Sequence, residues 1–187
     1  MTTGRSLGKG VAEVGLSLSS YYVLDRVTPP VLPQVIFNYG VGERFDLGAN
    51  LAFGILGVQS KYQIVGDQQS KFCMASGLSV NYFPGLESSD PDDELTIGGF
   101  SNINVPLHMS LHPSDGLAFY FSPKYSLITY HGDRIASESL IGFTPGIEFG
   151  KNKFRMVIEG TLFSPLSTGE NFNAAFGTLS FGGKFRL

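Results

Sequence analysis

The sequence predicts an all-β fold, on three observations. Apolar residues alternate with polar or very small ones along most of the chain, as in FDLGANLAF at 45–53, whereas helical spacing is scarce. The alternating stretches are bounded by turn formers, and the 187 residues include 24 Gly and 10 Pro. Aromatic residues make up 13% of the chain and charged residues only 16%, a composition that favours strands. Since no run of about 18 apolar residues occurs, a transmembrane helix is excluded.

The first half of the chain contains five predicted strands. DRVTPP ends the first strand, GER the second, the short GILG the third, and the acidic PGLESSDPDDE the fifth. Within each strand one face carries large apolar residues, for example Val14, Leu16 and Leu18 in the first. The predicted bounds are 9–24, 34–41, 45–53, 58–65 and 71–83.

The second half contains five more predicted strands, at 95–112, 117–130, 139–150, 154–163 and 174–187. PSDG, KNK and SPLSTGEN supply three of the connections. Pro106, Pro123 and Pro145 lie inside these strands, where each removes a ladder hydrogen bond, so we expect β-bulges or strand ends there. Eight or twelve strands are compatible with the same pattern.

The connections alternate in length, which predicts how the strands are arranged. Short turns at 42–44, 66–70, 113–115 and 151–153 alternate with longer loops at 25–33, 84–94, 131–138 and 164–173, with 54–57 as an exception. Short turns on one rim and longer loops on the other are typical of outer-membrane barrels. We therefore predict a closed antiparallel transmembrane β-barrel of about ten strands at residues 9–187. Residues 1–8 would form an N-terminal periplasmic segment, and both termini would lie at the short-turn rim.

The composition of the two strand faces predicts their environments. The apolar face would contact lipid, and the polar or small face would line the lumen, because a closed barrel pairs every backbone group in hydrocarbon. A soluble barrel or sandwich is the alternative. It would need many more charged residues on its water-facing side than a 16% content provides.

Two stretches carry a family resemblance. The last strand, FGTLSFGGKFRL, is similar to the C-terminal signature strand of bacterial outer-membrane β-barrels, with Leu187 in place of the usual Phe. YGVGERFDLGANLAFGILGVQSKYQ resembles hairpins of small outer-membrane proteins of Bacteroidota-type bacteria, some of them lipoproteins. The resemblance implies a Gram-negative outer-membrane location but no particular activity.

Strand parity places a set of charged side chains in the lumen. In a narrow lumen such charges should pair, and we predict a polar network that fills the interior. A narrow conducting path is the alternative. The predicted members are Glu13, Asp46, Lys61, Lys71, Lys124, Glu148, Arg155, Glu159, Lys184 and Arg186.

A few residues suggest chemistry. His108 and Ser110 share a strand face and resemble the base and nucleophile of outer-membrane lipid A deacylases, which suggests a lipid-modifying hydrolase as an alternative function. His131 and Asp133 resemble a rim pair of the omptin proteases. The acidic loop Ser88–Glu94 could bind a divalent cation or simply be solvated. We predict no cofactor and no metal site, and a buried, non-reactive Cys73.

The net charge excludes one class of partner. A formal charge of −3 gives no basic surface for nucleic acid. We expect outer-membrane lipids, including lipopolysaccharide, and another envelope protein as partners. The sequence thus predicts a non-enzymatic barrel that serves as a structural or accessory subunit of a larger envelope complex for assembly or secretion.

Overall fold

A computed structural model describes residues 3–23, 31–52, 54–85, 98–131, 136–151, 153–166 and 176–187. Ten strands are found within these residues, which confirms the all-β prediction. No helix in the described part of the chain is long and apolar enough to cross a membrane. The strands are β1 (Ala12–Val23), β2 (Val31–Gly40), β3 (Phe45–Ala52), β4 (Ile55–Val65), β5 (Phe72–Phe83), β6 (Gly99–Ser114), β7 (Leu117–His131), β8 (Ala136–Lys151), β9 (Phe154–Pro165) and β10 (Phe176–Arg186).

The strands form a closed antiparallel barrel in which each pairs with its neighbours in sequence. Closure is made by β1 and β10, whose register places Glu13 opposite Arg186 and Leu18 opposite Phe181. A closed ladder has no edge strand, so every strand can satisfy its backbone groups on both sides. The chain enters β1 and leaves β10 at the rim of the short turns, as predicted.

The three strand prolines are accommodated without the predicted bulges or strand ends. Ladder pairs are missing between Ser76 and Ser79, where Pro106 lies opposite, but the register is the same on both sides of the gap. Equivalent gaps occur at Pro123 in the β6–β7 pair and at Pro145 in the β8–β9 pair. The register shifts lie elsewhere, at Gln63/Val65 and Leu111/Ser114. Each proline therefore costs local hydrogen bonds only, since long flanking ladders hold the register.

The outer surface is apolar along the strands, and the inner surface is polar through most of the barrel. Val58 on β4 is 62% exposed and Leu16 on β1 is 59% exposed, whereas inward Ser17 and Glu13 are almost completely buried. Such an outer surface would be unfavourable in water and is the surface that a barrel presents to lipid.

The turn between β4 and β5 is stabilised by its own side chains. The Ser70 hydroxyl donates to the Asp67 carboxylate at 2.8 Å, and the Gln69 N–H donates to it at 2.9 Å. These hydrogen bonds hold the pKa of Asp67 below its ordinary value. The short-turn rim is thus locally ordered at this point.

Candidate functional site in the barrel lumen

The N-terminal residues 3–8, here called the N-terminal plug, lie inside the lumen at its short-turn end. Thr3, Gly4, Ser6, Leu7 and Gly8 are all buried. Residues 1–8 were predicted as an N-terminal periplasmic segment. The strand pattern could not predict that this segment lies inside the lumen. Alternation of apolar and polar residues identifies strands, but it does not identify a non-strand segment that packs against them. The periplasmic side of this rim stays a prediction.

The main attachment of the plug is the Asp46 carboxylate on β3. It accepts hydrogen bonds from the Ser6 hydroxyl at 2.8 Å and from the Leu7 N–H at 3.1 Å. Lys61 on β4 lies directly opposite Asp46 in the ladder and pairs with it at 3.0 Å. The Lys61 ammonium also donates to the carbonyls of Thr3 (3.3 Å) and Arg5 (2.7 Å). One buried ion pair therefore binds the plug backbone through both kinds of polar group: the carboxylate accepts from an N–H, and the ammonium donates to carbonyls.

Further contacts attach the plug around the short-turn rim. The Ser6 N–H donates to Gln63 at 2.7 Å, the Gln68 amide donates to the Ser6 carbonyl at 2.7 Å, and Arg5 donates to the Ser70 carbonyl at 2.7 Å. A side chain on Gly40 would overlap the Gly8 carbonyl, so a glycine is needed there for the plug to pass. The plug is thus attached to the lumen wall at several points.

A second charged cluster occupies the opposite wall, on β1, β8, β9 and β10. Lys184 bridges two carboxylates, with Glu148 at 2.7 Å and Glu13 at 3.5 Å. Arg186 contacts Glu13 at 3.3 Å, and Arg155 contacts Glu148 at 3.9 Å. Alternating positive and negative groups in this cluster compensate for the loss of hydration that burial imposes on each.

Not all predicted network residues join these clusters. Glu159 accepts a hydrogen bond from the Tyr120 hydroxyl at 2.6 Å, and Lys124 lies 5.3 Å from the centre of the Phe163 ring. Lys71 lies outside the network: it is exposed in the turn before β5. The parity of β5 had pointed Lys71 inward, but the strand begins one residue later, so parity does not hold at that position.

The predicted pairing of His108 with Ser110 is not present. His108 Nδ1 is 2.9 Å from the Ser122 hydroxyl on β7, and Ser110 Oγ is instead 2.9 Å from His112 Nε2. Ser110 also accepts a hydrogen bond from the N–H of Gly4 in the plug, at 3.1 Å. Strand neighbours at i and i+2 were read correctly as sharing a face, but the sequence does not determine which of them contact each other.

The other predicted features give little evidence of a site. His131 is exposed and contacts Ser101 at 3.2 Å, while Asp133 and the acidic loop 88–94 lie outside the described residues. Cys73 is buried and is not in a disulfide. Among the described residues, no group of three metal-binding side chains comes together.

Uncharged side chains line the middle of the lumen. Gln59 donates to Asn38 at 2.6 Å, Asn50 donates to Asn81 at 3.2 Å, and Asn102 donates to Ser126 at 2.7 Å. We call these side chains and Asn104, which contacts Asn102 and Ser79, the amide belt.

An open cavity of about 740 Å³ extends through the lumen above the plug. Thr3, Arg5 and Leu7 of the plug contribute to its lower lining. Toward the long-loop ends of the strands, the inward side chains are apolar, and we call them the apolar ring. Its members are Leu32, Ile55, Phe83, Phe100, Ile128 and Phe163.

Sequence reasoning missed the apolar ring although a signal was present. Phe100 has the parity of Asn102 and Asn104 on β6, and Ile128 has the parity of Lys124 and Ser126 on β7. Neither Phe100 nor Ile128 was assigned to a face in the sequence-based prediction. Parity carried from the strand centre would have placed them inside.

Comparison with known proteins identifies the fold. No protein-family model matches the chain, and neither does a curated protein. The NanC porin structure matches with a TM-score of 0.52 and 10% identity, over 92% of this chain and 100% of that chain. The translocator domain of the autotransporter NalP from Neisseria meningitidis gives 0.49 and 9%, over 96% and 89%. Ail from Yersinia pestis gives 0.47 and 12%, over 96% and 99%.

The fold and the surface together locate the protein. The similarity to NanC shows the barrel architecture, and the apolar outer wall of the closed ladder requires a hydrocarbon environment. Closed antiparallel barrels of this kind are the spanning structures of the bacterial outer membrane. The chain is an integral β-barrel of the bacterial outer membrane.

Proposed function

We propose that the protein is a non-conducting, non-enzymatic barrel that acts as a structural or accessory subunit of a larger envelope complex. The observation that carries the proposal is the N-terminal plug, which occupies the short-turn end of the lumen and is bound there by the Asp46–Lys61 pair. A lumen that is filled at one end is unsuited to transport.

The charges around the plug also argue against a conducting path. Lys184, Glu13 and Glu148 are engaged with one another and not with solvent. Barrels with an aqueous channel have about 16 strands or more. At the level of the plug, a lumen of ten strands leaves little room beside the ordered segment.

The surfaces that remain for interaction are the wall and the two rims. The wall would contact outer-membrane lipids, including lipopolysaccharide, and a partner in the envelope would pack against wall or rim. Obligate partners of membrane barrels would bury part of this apolar surface.

The closed lumen is tested by conductance. In planar bilayers we expect no current steps from the full chain, and steps from a variant that lacks residues 2–8. Asp46→Ala, which removes the main plug contact, should give intermittent steps, and the exposed turn substitution Glu43→Ala should stay silent. Steady conductance from the full chain would refute the proposal.

The subunit role is tested by quantitative purification. Tagged protein is extracted from native membranes in mild detergent after crosslinking, and co-purifying chains are quantified. One envelope protein recovered in stoichiometric amount, with crosslinks to rim or wall positions of this chain, would support the role. Recovery of the protein alone from crosslinked membranes would contradict it.

One observation favours a second candidate, a lipid-modifying hydrolase. The Ser110 hydroxyl and His112 Nε2 are at hydrogen-bond distance, so a base for Ser110 would be His112 and not His108. Against this, Ser110 is 2% exposed and its oxygen is occupied by the Gly4 N–H. Release of acyl chains from lipopolysaccharide that is lost in Ser110→Ala would establish the hydrolase. Equal release by both proteins would eliminate it.

The proposal extends to the type of bacterium and to lipidation of the protein. The stretch YGVGERFDLGANLAFGILGVQSKYQ resembles small outer-membrane proteins of Bacteroidota-type bacteria, some of them lipoproteins. Intact-mass measurement of the protein from native membranes tests the lipidation directly. An added diacyl or triacyl mass would support lipidation, and a mass without it would contradict it.

A further inference from the structure

The apolar ring is the feature of the lumen that the proposed function does not use. Its six members come from β2, β4, β5, β6, β7 and β9, so they surround the lumen on most sides. Phe83 and Phe100 are cross-strand neighbours with ring centres 5.4 Å apart. The ring therefore places apolar side chains from six strands around the cavity at its long-loop end.

An apolar surface facing a water-filled lumen is unfavourable. The same strands carry Asn, Gln and Ser at inward positions nearer the barrel centre, so the change to apolar residues is not a general property of the inner wall. Apolar area gains free energy when water is removed from it. A ligand with an apolar portion would remove that water.

Polar groups suited to a head group lie next to the ring. On β7, inward positions run from Lys124 through Ser126 to Ile128, from the middle of the barrel toward the long-loop rim. Lys124 lines the cavity, and among the described residues no carboxylate lies within ion-pair distance of its ammonium. Asn102 and Asn104 of the amide belt line the same part of the cavity.

The lysine has a ring contact, and the acidic side chain that acts on it electrostatically is Glu159, whose carboxylate accepts the Tyr120 hydroxyl. Its ammonium lies over Phe163, which also belongs to the apolar ring. A lysine in this setting can bind a carboxylate as a charge-assisted partner. The polar and apolar parts of the cavity therefore meet at Lys124 and Phe163.

The size of the cavity fits a small amphiphile. Its volume of about 740 Å³ lies within the range of roughly 300–1,000 Å³ that is typical of small-molecule sites. Such sites are mostly apolar with a few polar groups that fix orientation. The plug closes the opposite end, which gives the cavity a floor.

We propose that the lumen binds a single-chain amphiphile with an acidic head, of the long-chain carboxylate class. The carboxylate contacts Lys124 and the amide belt, and the chain lies within the apolar ring toward the long-loop rim. This inference goes beyond the proposed subunit role and does not depend on a protein partner.

The test uses a long-chain fatty acid that carries a photoreactive diazirine in its chain. The full-length barrel in detergent is irradiated with this probe, and labelled residues are assigned by peptide mass spectrometry. Phe100 and Ile128 report the lumen, while Ile103 and Val105 on the outer face of β6 report non-specific partition into the micelle. Palmitate added in excess should reduce lumen labelling by about tenfold and leave wall labelling unchanged.

A pair of lysine variants tests the head-group contact. Lys124→Met should weaken lumen labelling by the acid about tenfold but not that by the corresponding alcohol probe. The control Lys71→Met, at an exposed turn, should behave as the unchanged protein. Heat-dependent gel mobility verifies that each variant is folded.

Ile128→Asn tests the chain contact without touching the lysine. It should weaken labelling by the acid and alcohol probes alike. Labelling confined to Ile103 and Val105, or lumen labelling that palmitate does not displace, would overturn the proposal. Equal labelling of Lys124→Met and the unchanged protein by the acid would also overturn it.

Organic extraction of protein from native membranes separates two sources of the ligand. A carboxylic acid recovered in stoichiometric amount, and absent from Ile128→Asn, would identify a ligand taken from the membrane. A protein that is empty on extraction but passes the labelling test would instead bind a carboxylate supplied from outside.

Discussion

The two ends of the lumen are built from the same ten strands and differ in the side chains that point inward. At the short-turn end, ion pairs and the plug occupy the interior, and polar atoms of Glu13, Asp46 and Lys184 are engaged with one another or with backbone. Toward the long-loop end, the amide belt, Lys124 and the apolar ring line a cavity whose lower lining reaches Asp46, Lys61 and Lys184. The first arrangement stabilises one conformation. The second leaves space that a ligand can fill.

The difference has an energetic reason. Buried charges are tolerated only when every member has a partner, so the filled end must be specified residue by residue. Apolar side chains around an open cavity contact one another loosely and can change without leaving an unpaired charge. Substitutions should therefore have large effects at the filled end and small ones at the open end.

Lys184→Met should have the largest effect. It removes the ammonium between Glu13 and Glu148 and leaves two buried carboxylates close together. We expect a loss of about 3–5 kcal/mol in the free energy of unfolding, measured by urea titration in lipid vesicles. Lys153→Met, at the exposed rim, should change it by no more than about 0.5 kcal/mol. Similar values for both variants would mean that the cluster does not stabilise the barrel.

Asp46→Asn should have the next largest effect, because it keeps the shape of the side chain and removes the charge that binds the plug. Hydrogen bonds to charged groups contribute about 1.5–3 kcal/mol, and we expect a loss of that size. Trypsin should cut after Arg5 faster in this variant than in the control Glu43→Gln. Unchanged cleavage would show that Asp46 is not the main attachment of the plug.

Gly146→Ala tests close packing near the filled end. A methyl group there would overlap the Tyr120 ring, whose hydroxyl donates to Glu159 at 2.6 Å. Overpacking of this kind costs about 1–3 kcal/mol. At Gly160 a methyl group would have its nearest neighbour at 3.8 Å, so Gly160→Ala should be neutral or slightly stabilising in the same titration. Equal losses for both would contradict the packing argument.

Ile128→Asn should have the smallest effect, since its side chain faces the open cavity. We expect a loss of no more than about 1 kcal/mol in ligand-free protein. The matched change at the filled end is Val157→Asn, which would place an amide where the side chain is fully buried. That variant should lose about 1–3 kcal/mol in the same unfolding titration. A larger loss of unfolding free energy for Ile128→Asn than for Val157→Asn would mean that side chains at the long-loop end are closely packed.

Much of the fold could be predicted from the sequence because period-two alternation survives in every strand. The predicted bounds of the ninth strand, 154–163, differ from the observed Phe154–Pro165 by two residues. Alternation also assigned Val58 to the wall and Gln59 to the lumen correctly. It failed where strand bounds were wrong by one residue, at Lys71, and it was not applied at Phe100 and Ile128 near the strand ends.

The contacts within the lumen could not be predicted in the same way. Parity places His108, Ser110 and His112 on one face, but the choice between His108 and His112 as the partner of Ser110 depends on strand tilt and on Ser122 from a neighbouring strand. Proline positions predicted bulges or strand ends, whereas the register continues past Pro106 because the flanking pairs on both sides fix it.

The sequence by itself determined that this chain forms a closed barrel of about ten strands with a lipid-facing wall, because alternation, turn chemistry and the scarcity of charge are local properties. Only the tertiary structure decided that residues 3–8 enter the lumen, which charges pair, and that an apolar ring surrounds an open cavity. Those features depend on side chains from strands that are distant in sequence and meet only when the barrel closes.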